Sequence, residues 1–504
     1  LQIFPGSTFN VRVSAMKKNS APLFQELFLE QGVIKEQVYH ALRNAIVEGR
    51  LPPGTKIPST RGLSEMMSIS RNSVIAGYDR LLDEGYIQTR KGAGTFVTPS
   101  LPDRSISGLY PELQQGDELP VDGQLNADIV SVRGLWSGDV EGREMNRLFA
   151  VGVGCTDLFP HSLWGKLLGR VWRQSRHQLG SHTSPCGFYP LRKAICHYVK
   201  TTRGVNCSED QIIIVNGIQQ ALNITARALL TKGNDVWLDD PGYKGARGVF
   251  MSTGAIVRPV PVDNEGMNVR YGIDYFPHAK LAYVVPSDQY PLSGTLSLSR
   301  RLELLEWARV NRAWIFEDDY NSEFRYTARS LQALQGLDQH QRVIYSGTFS
   351  KMMYPEFRLG FLVVPPGLKE QFIVTKYFSD IGSSYLEQAV LASFIEEGHY
   401  ASHVRRVRKA CYERRTALVN AIQCYLADKM TVQPSDSGVH IVCWLHAGLT
   451  GDEVELKARM LGMGIQSLSH YYHGDISRQG IMIGFANHPP EVIVEGIRRL
   501  AHAM

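Results

Sequence analysis

Lys351 lies in SGTFSKMMYPEFRLG (346–360), among the small hydroxyl residues Ser346, Thr348 and Ser350, with Arg358 seven positions further on. A primary amine in such company can form a Schiff base, and an arginine beside hydroxyls can hold an anion. An aldehyde cofactor with a phosphate tail is pyridoxal 5′-phosphate. Its pyridine nitrogen needs an anionic partner to stay protonated, which makes the ring an electron sink. RAWIFEDDY (312–320) places three acidic residues at the end of an apolar run. Asp318 and Tyr320 are two apart, hence on one side of an extended chain, while Asp319 points away. Each of these residues, taken singly, also fits a surface lysine beside a salt-bridged acidic cluster.

A second chemistry is legible near the start. Ser70 is a natural N-cap, and Val74, Ile75, Tyr78, Leu81 and Leu82 follow on one helical face. The other face offers Arg71, Asn72, Ser73 and Arg80. Helices over Ile34–Glu48 and Thr60–Met67 precede this one, and LPPGTKIP reads as a turn between them. YIQTR and TFVT flank Lys91-Gly92-Ala93-Gly94 and read as a β-hairpin with a basic, flexible tip. A short helix presenting Arg, Asn and Ser from its first turn suits a DNA major groove, with helix-end N–H groups meeting phosphate. The same residues suit a small helical interaction domain whose charges are merely solvated.

These sites need a scaffold, and the chain has ample length for one. Its 504 residues, 43% apolar and 20% charged, are ordinary globular composition. No apolar run approaches the ~18 residues of a membrane span, and the start is no secretory signal. Seven scattered cysteines without a C-x-x-C pair fit reduced thiols in a cytoplasmic protein and argue against structural zinc. The net charge of +5 decides nothing alone. Residues 1–32 read as an extension, with Met16 a plausible initiator, and 33–98 as the helical and hairpin module. Pro-, Gly- and acid-rich text over 99–145 reads as a linker. From 146 to 504, apolar strands such as QIIIVNG, AKLAYVV and RVIYSG alternate with helical stretches such as SRRLELLEWARV. That pattern predicts an α/β domain whose mainly parallel sheet is covered on both faces.

The run GRLPPGTKIPSTRGLSEMMSISRNSVIAGYDRLLDEGYIQTRKGAGTFV resembles the winged helix-turn-helix of the GntR family. The resemblance implies contacts to double-stranded operator DNA from Arg61, Ser70, Arg71, Asn72 and Ser73, and from Lys91 and Gly92 in the wing. Tyr78 is expected in the core. EDDYNSEFRY (317–326) followed by SGTFSKMMYPEFRLG (346–360) resembles fold-type I aminotransferases, and the whole chain resembles the MocR subfamily of GntR regulators. DLFP (157–160), GFYPLRKAI (187–195), NGIQQAL (216–222), DDPGY (239–243) and GVH (438–440) extend the match. The implied fold is a winged helix-turn-helix followed by a fold-type I domain with a smaller C-terminal α+β subdomain. By position, Lys351 is then the Schiff-base lysine of pyridoxal phosphate, Asp318 the pyridine-nitrogen partner and Tyr320 the donor to the phenolic oxygen. Arg358, Ser350 and Thr348 hold the phosphate, joined by backbone N–H groups of Gly217, Ile218 and Gln219 at a helix start. Tyr243 stacks on the ring. The resemblance implies a head-to-tail homodimer too, and the linker's reach of ~5–6 Å × √n permits a crossing between subunits.

Three departures from the family pattern stand out. His182 occupies the place of a tyrosine that reaches the partner subunit's phosphate. In SDQYPLSG (287–294), Asp288 replaces a histidine and the glycine falls late. In GIMIGFA (480–486), Met482 stands where amino-acid transaminases carry the arginine that clamps the substrate carboxylate; Arg478 and Arg247 are candidate substitutes, though each also reads as a surface residue. The missing clamp and the intact reading helix favour a regulator sensing an amine, an amino acid or a B6 vitamer. The alternatives are a working aminotransferase with an accessory DNA-binding domain and a degenerate fold kept for dimerisation. Whether any transamination occurs stays open at this point.

Overall fold

The computed structural model describes residues 34–99, 126–136, 146–175, 184–326 and 331–504. The chain divides into two compact units, Leu1–Gly123 and Gln124–Met504. His182 and Met16 lie outside the described residues.

In the first unit, α1 (Ile34–Val47), α2 (Thr60–Met67) and α3 (Arg71–Asp83) enclose Val38, Leu42, Ile46, Leu63, Val74 and Leu81. Gly77 matters here because a Cβ would come within 3.0 Å of Val38, so its absence lets α1 and α3 close on each other. Ser59 and Ser70 cap α2 and α3, accepting from the amides of Gly62 and Ser73. Strands β2 (Ile87–Arg90) and β3 (Gly94–Val97) form the expected hairpin. The segment read as a plain turn holds a third strand, β1 (Lys56–Ile57), which pairs with Thr95 and Phe96 of β3. Ile57 is buried, and pairing satisfies the backbone that its burial removes from water.

The second unit is built on an eight-stranded sheet. In chain order its strands are β4 (Ile212–Val215), β5 (Asp235–Asp240), β6 (Ile256–Asp263), β7 (Gly266–Met267), β8 (Leu281–Val284), β9 (Trp314–Asp319), β10 (Val343–Thr348) and β11 (Gly360–Val363). Spatially they run β4-β11-β10-β9-β8-β5-β6-β7. The pairs β10–β9, β9–β8, β8–β5 and β5–β6 are parallel, and β11 runs antiparallel to both its neighbours. Every residue of β4, β8, β10 and β11 is buried, because both faces of the sheet are covered. A second, antiparallel sheet follows: β12 (Met430–Val432), β13 (His440–Leu445), β14 (Gln466–Ser467) and β15 (Gly480–Gly484), in the order β12-β13-β15-β14.

Inside the stretch read as a linker, a short helix, Ala127–Ser131, packs on this unit beside the helix Lys244–Ser252, and Asp128 bridges Lys232 at 2.9 Å. Folding also assembles cysteines that sequence spacing left scattered, with Cys155 and Cys411 thiols 2.9 Å apart and buried. Open α/β sheets bind ligands beyond the carboxyl ends of their parallel strands. That is where Asp318, Thr348 and Tyr243 stand.

Candidate cofactor pocket and nucleic-acid interface

A cavity of about 310 Å³ lies at those strand ends. Its wall contains Lys351, Asp318, Tyr320, Arg358, Ser350, Thr348, Tyr243, Gly217, Ile218 and Gln219, so the fold gathers all ten residues singled out for the cofactor. They come from separate elements. Asp318 is the next-to-last residue of β9 and pairs with Ser346 of the parallel strand β10, whose last residue is Thr348. Gly217 precedes the helix Ile218–Leu229, and Tyr243 precedes the helix Lys244–Ser252.

Lys351 is enclosed, and its ammonium donates to the carbonyl of Gly152 at 2.6 Å. Burial lowers its pKa against the pull of Asp318, which favours the nucleophilic neutral amine. The segment that supplies this carbonyl is tightly fitted: a Cβ on Gly154 would meet the Lys351 carbonyl at 1.9 Å. Asp318 accepts from the hydroxyl of Tyr283 at 2.7 Å. Burial lifts its carboxyl to about 7, opposed by the Tyr283 hydrogen bond. The other oxygen of Asp318, Oδ1, is buried without a partner. Asp319 points to the opposite side, where it takes two hydrogen bonds from buried Arg203, at 2.7 and 3.0 Å, and one from Tyr345. The alternation expected of the strand is therefore realised.

The remaining groups form a cradle for an anion. Gly217 adopts φ +90°, and nothing lies within 4 Å of where its Cβ would stand. The amides of the helix start after it face the same cavity as Thr348 and Ser350, whose hydroxyls are 3.1 Å apart. Arg358, held at φ 47°, makes no hydrogen bond or ion pair among the described residues. Tyr243 donates to Gln219 at 3.1 Å and stands edge-on to Tyr290 with ring centroids 5.9 Å apart. A pyridine N–H would complete Asp318 Oδ1, and a phosphate would complete Arg358 and the helix end. The residues present thus fit pyridoxal phosphate.

Six wall residues escaped sequence reasoning as cavity groups: Val151, Gly152, Tyr283, Tyr290, Val439 and His440. Tyr283 sits in AKLAYVV, where a hydroxyl inside an otherwise apolar strand was the available signal. Gly152 acts through its carbonyl and leaves no side-chain trace. Asp288, one of the departures, is buried behind Tyr320 and accepts from Asn321, from Ser437 at 2.7 Å and from Tyr320 at 3.4 Å. It braces the wall. Met482 is fully buried on β15 opposite Val442, within an apolar group containing Val151, Leu468, Tyr471 and Tyr472. Neither proposed substitute lines the cavity. Arg478 lies 4.3 Å over the Trp444 ring, and Arg247 donates to the Tyr472 carbonyl at 3.3 Å.

In the first unit, Arg71 and Asn72 are exposed at the start of α3, and Ser70 and Ser73 are tied by their hydroxyls at 2.8 Å. Arg61 is exposed and paired with Glu65. Lys91 and Gly92 stand exposed at the hairpin tip, with Gly92 at φ +79°. Tyr78 is core, its hydroxyl donating to the Pro58 carbonyl at 2.9 Å. Arg80 is exposed but engaged, stacked 3.8 Å over Tyr39 and bridged to Glu84. Lys56 and Arg90 both lie over the Phe96 ring, at 5.8 and 4.9 Å, adding positive charge to the wing that the sequence reading had not assigned to it.

Residues 171–500 match the model for aminotransferase class I and II, and residues 34–97 the model for bacterial regulatory proteins of the gntR family. The chain is 36% identical over 472 residues to the probable rhizopine catabolism regulatory protein MocR of Rhizobium meliloti, covering 93% of each chain. It is 31% identical to the HTH-type transcriptional regulator YdeL of Bacillus subtilis (strain 168), covering 93% of this chain and 96% of that one. Among solved structures, kynurenine aminotransferase of Pyrococcus horikoshii superposes with a TM-score of 0.66 at 25% identity, covering 79% of this chain and 98% of that one. Regulators thus match nearly end to end, and aminotransferases match the second unit. The chain belongs to the MocR subfamily of GntR-type transcriptional regulators, in which a DNA-binding winged helix precedes an aminotransferase fold.

Proposed function

We propose that this regulator carries pyridoxal phosphate on Lys351 and reads a small amine-bearing effector with it, adjusting the grip of its winged helix on operator DNA. Bound in the cavity, the cofactor supplies an aldehyde carbon for amines and an electron-withdrawing ring. The protein does the rest. Asp318, oriented by Tyr283, would hold the pyridine nitrogen and its proton, and Tyr320 would turn its hydroxyl from its 3.4 Å contact with Asp288 to donate to the phenolic oxygen. Arg358, Ser350, Thr348 and the helix start at Gly217, Ile218 and Gln219 hold the phosphate. Tyr243 stacks on the ring. The observation that carries this reading is the incomplete pairing of two groups lining one cavity, the buried Asp318 Oδ1 and the exposed Arg358, whose wall also contains a lysine of depressed pKa.

On the DNA side, Arg71, Asn72, Ser73 and Arg61 read or position the major groove, and Lys91 and Gly92 approach the backbone beside it. The functional form is a head-to-tail homodimer in the cytoplasm. The effector is an amine, an amino acid or a B6 vitamer, in keeping with a relative named for control of rhizopine catabolism. The test is borohydride reduction of the purified protein followed by peptide mass spectrometry, with operator binding measured in parallel. The cofactor mass belongs on the peptide containing Lys351. A reducible cofactor in Lys351→Ala protein would refute the assignment.

A further inference from the structure

Three side chains donate to the carboxylate of Asp380, the last residue of the helix Lys369–Asp380. Lys376 Nζ reaches both of its oxygens at 2.8 Å, and the hydroxyl of Ser383 at 3.2 Å. Asn216 Nδ2 and Gln220 Nε2 donate to Asp380 Oδ2 at 3.2 and 2.7 Å. Gln220 in turn accepts the backbone N–H of Asn216 at 2.7 Å. Asn216 and Gln220 flank Gly217, Ile218 and Gln219, and neither belongs to the cavity wall that those three residues line. Asp380 thus closes a ring across the turn between β4 and the helix Ile218–Leu229, the same turn that presents its amides to the cavity. Gly217 has little support of its own. It sits at φ +90°, and its Cα is so close to Gly360 that a Cβ there would come within 3.0 Å.

The ion pair does little for the helix that carries it. A carboxylate at a helix C-terminus opposes the macrodipole, and lysine four residues before the acid is the poorer order for such a pair. Lys376 is fully buried, and burial lowers its pKa against the pull of Asp380. A buried pair of this kind is often no more stabilising than apolar residues of the same volume. What it supplies is a fixed acceptor, because one ammonium pins both oxygens and leaves Oδ2 aimed at Asn216 and Gln220. The chain beyond is shaped to keep that ammonium in place. Ile381 stands at φ 62°, where β-branched residues are rare, and the turn through it returns Ser383 to Lys376. Gln388 holds the far side of the turn through the carbonyls of Ser383 and Ser384, at 3.0 and 2.8 Å.

We infer that Lys376 and Asp380 are positioning residues that set the phosphate-binding turn at Gly217, Ile218 and Gln219 from behind the cavity wall. Their loss should then cost affinity for the phosphate of the cofactor and not for its ring. This rests on the cofactor reading and extends it to residues that do not line the cavity.

The test uses full-length protein, freed of cofactor and titrated with pyridoxal 5′-phosphate and with pyridoxal, which lacks the phosphate. The thermal midpoint of the cofactor-free protein is read alongside. Gln220→Ala opens the ring and leaves the ion pair intact. It should weaken pyridoxal phosphate binding about tenfold, the factor of one charge-assisted hydrogen bond, and pyridoxal binding by less than about threefold. The paired variant Lys376→Met with Asp380→Leu should keep a thermal midpoint close to wild type, as apolar replacement of a whole buried pair allows, and show the same selective loss. Lys376→Met with Asp380→Asn, whose amide oxygen still accepts, should recover part of the phosphate affinity. Equal losses for the two ligands overturn the inference, because they mark a general disturbance of the pocket. Unchanged phosphate affinity in Gln220→Ala, or in the folded paired variant, overturns it too. Should the paired variant fail to fold, the result for Gln220→Ala decides. Failure of the cofactor reading is distinct: it appears in the wild type, as protein without reducible cofactor on Lys351.

Discussion

Asp318→Asn should have opposite effects on the empty and the loaded pocket. Burial raises the Asp318 carboxyl to about 7 in the folded chain, against about 3.9 in an unfolded one. Because the folded pKa of this acid is raised, the folded chain binds more protons than the unfolded chain between those values. Stability contributed by Asp318 is therefore greatest at low pH, falls as pH rises towards 7, and is flat above it. Between pH 5 and pH 8 the loss is roughly two pKa units, or about 3 kcal/mol. Asparagine does not titrate, so the stability difference between variant and wild type should move by about 3 kcal/mol in the variant's favour over that interval. The new amide nitrogen takes the place of an oxygen that has no partner, which costs about 1–3 kcal/mol at every pH and leaves the slope untouched. Pyridoxal phosphate binding should respond the other way, weakening about 10- to 100-fold with loss of a charge-assisted bond of about 1.5–3 kcal/mol. Urea unfolding of cofactor-free protein at both pH values measures the first effect. Tryptophan fluorescence isolates the right unit, since all seven tryptophans fall between 136 and 444, beyond the boundary at Gly123. A stability difference that does not change with pH would mean Asp318 is ionised throughout, and the argument from burial would fail.

Arg71→Ala should weaken specific DNA binding by about 1–3 kcal/mol if it reads a guanine edge; equal losses on operator and random duplex in a fluorescence titration would make it a backbone contact. Lys91→Ala should lower affinity on every sequence and flatten the salt dependence, read from the slope of log K against log salt. Removing buried Arg203 leaves Asp319 enclosed without its cation, so Arg203→Ala should lose about 3–5 kcal/mol in urea unfolding, whereas exposed Arg61→Ala should change stability by less than about 1 kcal/mol. Turnover with ordinary α-amino acids should be negligible; rapid, complete conversion of bound pyridoxal to pyridoxamine phosphate with any of them, followed spectroscopically in a single turnover, would favour the enzyme reading.

What was legible in the sequence follows from how far each signal reaches. The N-cap at Ser70 and the limits of α2 depend on residues within one or two turns, so reading them needed no partner. Strand β1 has only two residues and no period of its own; it exists because Phe96 and Thr95 come to meet it. The cofactor residues could be gathered from distant motifs because most stand at or just beyond the carboxyl ends of β4, β5, β9 and β10, and α/β sheets deliver those ends to one edge. The supporting groups could not. Nothing in AKLAYVV separates Tyr283 from a core aromatic until folding brings its hydroxyl to Asp318, 35 residues away. His440 was visible only as part of a matching tripeptide, because the Pro291 carbonyl that holds its ring is 149 residues away.

The two sheets of the second unit divide the labour of the pocket. Lys351, Asp318 and Thr348 depend on β9, β10 and the turns after them, whereas the site of the missing carboxylate clamp is on β15 of the smaller sheet. Evolution can therefore alter what an amine must look like without disturbing what captures it. The surroundings of Met482 show that the alteration is more than one side chain deep. Val151, Val442 and Leu468 pack around it with Tyr471 and Tyr472, whose hydroxyls are already bonded to Gln466 and Ser477, and no carboxylate belongs to this group. An arginine restored there would be buried without a partner until a carboxylate arrived, at a cost of several kcal/mol. Capture of an amine needs only access and a neutral Lys351, but proton removal needs the Cα–H bond held perpendicular to the ring, which the clamp normally ensures. In the function proposed above, a pocket that keeps the first and lacks the second would bind without efficient turnover, and an effector that is not consumed is what a regulator requires.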